Sequence, residues 1–286
     1  MSTDRISRAL ELARANRATA RGAPRGEGSR VPQPYGASVP DVENLADDAP
    51  TFTDTIVFEL PVHPVREEQL EHERILGPGA TGPGAPAFKM LRTQVLKRLD
   101  QQGANTLAVV GAAPGAGKTL TAINLAIAIA ADAGRTALLV DFDLRNPSIH
   151  RRFGIEPARG VEDCLLGRRA VQECMLKLGG YERLTLLPAT GSVAASSELL
   201  TTARAAEVVR EMRERYANRV LIFDLPPVLQ ADDALAVSRY MQAGLLVVAE
   251  SRTRRADVQR TLELLRDLPI VGTVLNGSRS ETVEAY

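Results

Sequence analysis

Residues 107–121 read LAVVGAAPGAGKTLT: an apolar β-type run, a turn of Gly, Ala and Pro, then Lys118 and Thr119 opening an apolar helix. That order makes a phosphate-binding loop. The glycines let successive backbone N–H groups face one anion, and the helix N-terminus adds the positive end of its dipole. Gly115, Ala116, Gly117, Lys118, Thr119 and Leu120 are therefore the candidate nucleotide-binding residues. Lys118 is expected to reach β/γ-phosphates, and the Thr119 hydroxyl to ligate Mg²⁺. In the pattern G-x-x-x-x-G-K-[ST] the first glycine falls on Ala112, with Gly111 one place early. A loop of this kind needs a strand behind it and a helix ahead, so it commits the chain to an α/β fold.

A hydrophobic content of 44% over 286 residues supports a sizeable core in one or two domains. Aromatic residues make up only 4%, with no Trp, so that core must be built from Leu, Val, Ile and Ala, as buried parallel sheets are. Lys+Arg and Asp+Glu are equal at 35 each, which gives no reason to expect a nucleic-acid partner. Cys164 and Cys174 lack metal-ligand spacing and read as reduced core thiols of a cytosolic protein. The opening MSTDRISRAL has no signal-peptide character, and no apolar run approaches the ~18–20 residues of a membrane span.

Along the chain, apolar residues at helical spacing predict a short amphipathic helix within 1–17. Residues 18–50 turn to Arg, Gly, Pro, Ser and then acidic residues, the composition of a disordered linker. Residues 51–86 are expected to be partly ordered, with a strand-like piece, one helix, and a hinge in GPGATGPGAP. The folded unit is expected to span 87–276, followed by a flexible tail at 277–286. Within it, apolar strands alternate with helices, including one long helix over 197–216. That alternation indicates a mostly parallel central sheet with helices on both faces.

Asp141 and Asp143 follow the apolar run TALLV, and Asp224 follows VLIF. Ligands of such sheets sit at the carboxyl ends of the strands, where the phosphate loop also lies. Phosphoryl transfer needs a carboxylate to hold a metal's water shell and a group to take a proton from the nucleophile. Asp141 is expected to face metal and nucleophile, Asp143 to reinforce it, and Asp224 to hold the metal. The catalytic candidates are thus Lys118, Asp141 and Asp143, and the metal candidates Thr119, Asp141 and Asp224. Each Asp could instead be a helix cap or turn residue after its strand.

LLVDFDLRNPSIHRRFG resembles the second Walker motif of the bacterial tyrosine kinases of capsule and exopolysaccharide loci, and FDLPP resembles their Walker B motif. SSELL, DDALAV and GTVLN extend the similarity over about two thirds of the chain. The resemblance implies a P-loop NTPase fold shared with septum-site and partition ATPases. It implies ATP and Mg²⁺ as cofactors and phosphorylation of tail tyrosines. It also implies a cytoplasmic location, with recruitment to the inner face of the membrane by a chain-length determinant, or polysaccharide co-polymerase. A non-kinase regulatory ATPase switch docking the same partner is the alternative.

By the same resemblance Asn276 falls where relatives contact adenine, although it could equally be a polar turn residue beside Gly277. Ala113 replaces the second lysine of the partition ATPases. The Glu-x-x-Arg-x-x-Arg helix through which the kinases self-associate reads Pro86-x-x-Lys89-x-x-Arg92, which argues against rings built on that contact. The tail GSRSETVEAY offers Tyr286 as candidate phosphoacceptor, or simply an extended terminus that ends in Tyr.

Overall fold

A computed structural model describes residues 60–278. The helix expected within 1–17, the linker over 18–50 and the end of the tail with Tyr286 lie outside the described residues. In chain order the elements begin β1 (Val62–His63), α1 (Glu67–His72), α2 (Ala85–Gln102), β2 (Thr106–Val110), α3 (Lys118–Ala130) and β3 (Thr136–Asp141). They continue as α4 (Ile149–Arg152), α5 (Val161–Leu165), α6 (Val171–Cys174), β4 (Leu176–Leu178), β5 (Leu184–Leu187) and α7 (Ser196–Thr201). The last are α8 (Ala203–Arg215), β6 (Arg219–Asp224), α9 (Asp233–Ser238), β7 (Ala243–Ala249), α10 (Arg255–Leu264) and β8 (Ile270–Asn276).

These strands form one sheet in the order β1-β4-β5-β3-β6-β2-β7-β8. From β5 to β8 every pair is parallel; β4 runs antiparallel to β5, and β1 is parallel to β4. The period-2 alternation of strand side chains divides the interior into two layers. Leu107, Val109, Leu139 and Ile222 face a core shared with α2 and α3. Ala108, Val110, Leu138 and Phe223 face a second core built with α5 to α9. Covered on both faces, the strands can be apolar at every position, which is why they read as continuous apolar runs. Helix α3 is itself wedged between the sheet and α2, so it is buried on nearly every side from Thr121 to Ala130.

The start of the folded unit differs from expectation. Strand β1 joins the sheet through Val62↔Lys177 and His63↔Leu178, and Leu70, Ile75, Leu76 and Ala80 are buried in the α2/α3 core. The segment 77–86 is a packed turn rather than a hinge: Gly77 and Thr81 exchange backbone hydrogen bonds at 3.0 and 3.3 Å. The Tyr181 hydroxyl donates to Leu76 O at 2.7 Å. A Gly/Pro-rich composition suits a tight turn as well as a linker, and the apolar residues beside it decide which forms. We call 60–84 the strap. The helix expected over 197–216 is also two helices. Thr202 is extended (φ −66°, ψ 155°) and its hydroxyl accepts from Ala205 N at 3.2 Å, capping α8. A Thr that can cap competes with helix continuation. No helix among the described residues is long and apolar enough to cross a membrane.

Candidate active site

The functional residues assemble because β3, β6 and β2 are neighbours in register. Asp141 pairs with Asp224 across β3 and β6, and Asp224 pairs with Val109 of β2, one residue before the strand ends and the phosphate loop begins. Their carboxyl ends therefore open on one edge. Within the loop, Gly115 (φ 71°) and Gly117 (φ 90°) occupy the left-handed region that curls the backbone toward an anion. A Cβ on Gly117 would collide with the Asn276 amide. Gly111 has another duty: a Cβ there would lie 2.9 Å from Val247 O and 3.2 Å from the Lys118 side chain. The early glycine thus lets β7 and the lysine pack close, while Ala112, also buried, follows it.

Lys118 is 6% exposed. Burial lowers the pKa of its ammonium, and Asp224 and Asp143 act in the opposite direction by favouring its charge. Asp224 is wholly buried, and neither of its carboxylate oxygens completes a hydrogen bond. Burial pushes it up to about 7, against the opposing influence of the nearby Thr119 hydroxyl and of Lys118. A buried carboxylate left without partners beside a lysine and a threonine is the donor set that a hydrated divalent cation would complete. On that observation the residues fit Mg²⁺, which Thr119 and Asp224 would hold.

Asp141, expected to face metal and nucleophile, and Asp143, expected to reinforce it, sit in different surroundings. Asp141 is fully buried, its Oδ1 accepting from Asp143 N (3.2 Å) and its Oδ2 from Ser148 N and Ile149 N (both 3.1 Å). It fixes the loop and the start of α4, the capping role that a strand-end Asp can always take. Burial and the neighbouring Asp224 raise its pKa well above the usual carboxylate range. Asp143 is the member that lines the open cleft of about 800 Å³, together with Lys118, Thr119, Arg145 and Arg151. Its pKa is raised mainly by burial, with Lys118 pulling the other way.

Further side chains tie this region together; of these, Asn276 and Arg92 were marked in the sequence, whereas Gln69, Glu73 and Asn124 were not. Arg145 donates from Nε to Asp233 Oδ1 at 2.8 Å, tying the loop after β3 to α9. The strap reaches the same region: Gln69 Nε2 donates to Arg152 O at 3.2 Å, and Glu73 pairs with Arg152 at 2.7 Å. Asn124 of α3 accepts from Leu76 N (2.9 Å) and donates to Arg74 O (3.0 Å). An amide in the apolar run INLAIAIA was the available signal. Asn276 donates to Ala116 O at 3.0 Å, so β8 is joined to the phosphate loop. Arg92 donates to Ala128 O at 3.2 Å, which occupies one remnant of the kinase self-association motif.

A family model described as "AAA domain" matches residues 104–253, just over half of the chain. The chain belongs to the AAA-domain family. Among curated members with similar sequences is the tyrosine-protein kinase YwqD of Bacillus subtilis (strain 168), 27% identical over 202 residues, covering 70% of this chain and 83% of that one. Other similar tyrosine-kinase sequences are longer, and this chain spans only 26% to 30% of them. In three dimensions this AAA-domain chain is similar to the kinase domain of the Escherichia coli tyrosine kinase ETK. The TM-score is 0.63 at 27% identity, over 70% of this chain and 79% of that one. The septum site-determining protein MinD of Pyrococcus horikoshii OT3, complexed with Mg-ADP, shares the fold at 22% identity (TM-score 0.53), covering 62% of this chain and 72% of that one. The resemblance to the bacterial tyrosine kinases expected from the motifs after β3 and β6 is therefore found, on the mostly parallel P-loop fold.

Proposed function

We propose that this chain is an ATP- and Mg²⁺-dependent protein-tyrosine kinase that regulates polymerisation or export of a capsular or exopolysaccharide. The observation that carries the proposal is the gathering of Lys118, Asp143 and a partnerless Asp224 around a phosphate cradle, in a chain similar to named tyrosine kinases. Gly115 to Leu120 bind the phosphates through backbone N–H groups, and Lys118 neutralises the β- and γ-phosphoryl oxygens. Thr119 and Asp224, with Asp141 behind them, would hold the metal. Mg²⁺ held there would supply positive charge that neutralises the phosphate chain. The tyrosine oxygen forms a bond to the γ-phosphorus as the bond to ADP breaks, and the phenolic proton passes to Asp143. Asp141 holds the loop that presents Asp143. Tyr286 is the candidate acceptor, and a membrane chain-length determinant is the partner that recruits the chain to the inner face of the membrane.

Mass spectrometry of the purified chain incubated with Mg·ATP tests this reading. Phosphotyrosine is expected in the wild type. Lys118→Met is expected to lose labelling by ~10²-fold or more, the scale for removing a preorganised charge from the transferring group. ATP hydrolysis without tyrosine labelling, even with the membrane partner present, would leave the regulatory switch and remove the kinase.

A further inference from the structure

The turn between β7 and α10 brings to the phosphate loop a cation to which no role has been given so far. Arg252 lies against Gly115: a Cβ built on that glycine would sit 3.3 Å from Arg252 Nη2 and 3.8 Å from its Cζ and Nη1. Gly115 itself lines the carboxylate cleft. β7 pairs with β2, whose end becomes the phosphate loop, so turn and loop open on the same edge of the sheet. Arg252 is exposed, and no ion pair or side-chain hydrogen bond among the described residues engages its guanidinium. The arginines of the cleft are otherwise committed. Arg145 pairs with Asp233 and Arg152 with Glu73, while Arg151 donates to Asn146 Oδ1 and Pro147 O.

The turn that carries Arg252 is held in a specific shape. Ser251, the residue before it, is a non-glycine in the left-handed region (φ 59°). Thr253 closes the turn on Ala249, its N–H donating to Ala249 O and its hydroxyl accepting from Ala249 N, both at 3.0 Å. Glu250 N donates to Asn276 O at 2.9 Å, which fixes the turn to β8. Such backbone persists only where its surroundings over-determine it. The phosphate loop GAAPGAGKT carries a single cation of its own, Lys118, and Asp143 and Asp224 add negative charge beside it. Phosphoryl transfer spreads further negative charge over the oxygens of the leaving and transferring groups, and a planar guanidinium matches such oxygens.

We infer that Arg252 is a further catalytic residue, whose guanidinium donates to the phosphoryl oxygens during transfer. The bond between the γ-phosphorus and ADP breaks as the acceptor oxygen bonds to that phosphorus. The electron pair stays on the ADP oxygen, and Arg252 stabilises the charge that builds there. The inference rests on the phosphoryl-transfer reading above.

Calorimetric titration of the full chain with Mg·ADP, alone and with aluminium fluoride in place of the transferring phosphoryl group, separates ground-state binding from transfer. Arg252→Ala is expected to bind Mg·ADP within ~3-fold of the wild type, which also certifies its fold. Its affinity in the presence of aluminium fluoride is expected to fall ~10²-fold, with a matching fall in kcat for ATP turnover and an unchanged KM. Arg252→Lys, which keeps the charge and loses the fork, is expected to fall between the two. Equal weakening with and without aluminium fluoride would make Arg252 a support of the loop, and no weakening of either complex would remove it from the site; each result overturns the inference. Failure of the wild type to bind Mg·ADP overturns the nucleotide reading, and the role of Arg252 with it.

Discussion

At Asp224 burial opposes ionisation. In the folded chain its carboxyl titrates at about 7, against 3.8 for an unperturbed Asp, because burial disfavours its charge. Between those values the folded state keeps a proton that the unfolded state has released, so raising the pH favours unfolding. Stability associated with this group is full below about pH 4 and is lost as the pH rises through about 7. Asp224→Asn removes the charge at nearly constant volume. The metal-free variant is expected to gain in Tm over wild type, with a margin that widens from pH 5 to pH 8 and closes at pH 4. It is expected to lose Mg²⁺-dependent nucleotide binding. A margin that narrows towards pH 8 would contradict the burial of an unpaired carboxylate. Asp141 shows the complementary case: its three backbone donors make it a structural anchor as well as a neighbour of the site.

Among the elements, the strap and α3 depend on each other through Asn124. Its side chain satisfies Leu76 N, and it donates to Arg74 O at a residue of unfavourable φ. Asn124→Ala leaves a buried N–H without a partner, at a cost of ~1–3 kcal/mol. A urea titration is expected to show that loss, with faster hydrogen exchange across α1 and the turn at 77–81 than in the sheet. Uniform acceleration everywhere would mean that the strap is not a separate unit. The same pair of elements shows where local pattern misleads. GPGATGPGAP has the composition of a hinge, and only the burial of Leu76 and Ala80 makes it a turn. In α7 and α8 the periodicity of apolar residues runs straight through Thr202, and the break comes from its capping hydroxyl.

Across the whole molecule, the sheet separates two cores that share strands and no side-chain layer. Ile222 and Phe223, adjacent on β6, point into opposite ones, and Phe223 packs on Phe142 with ring centroids 5.3 Å apart. Ile222→Val is expected to cost about 0.5–1.5 kcal/mol and Phe223→Ala about 3–5 kcal/mol. Because their surroundings do not overlap, the double variant is expected to equal the sum within ~0.5 kcal/mol by denaturant unfolding. A larger coupling would show that strain crosses the sheet. The layering also explains why four chemical features converge. Parallel strands put all their carboxyl ends on one edge, so the phosphate loop, Asp141, Asp224 and Asn276 meet although 165 residues separate Gly111 from Asn276 in sequence numbering.

The sequence by itself determined the phosphate loop, the strand-end carboxylates, the alternating α/β order and the likeness to the bacterial tyrosine kinases. Each of these is a local signal: a glycine turn between strand and helix, or an apolar run ending on an acid. Tertiary structure alone decided which acid opens on the cleft, because the backbone donors of Ser148 and Ile149 take up the buried Asp141 and leave Asp143 to line the opening. It alone decided that Gly111 serves the contact with β7, and that the strap at 60–84 belongs to the domain. Those outcomes depend on residues such as Ser148, Val247 and Asn124 arriving from elsewhere in the chain, and no spacing within the motifs encodes that arrival.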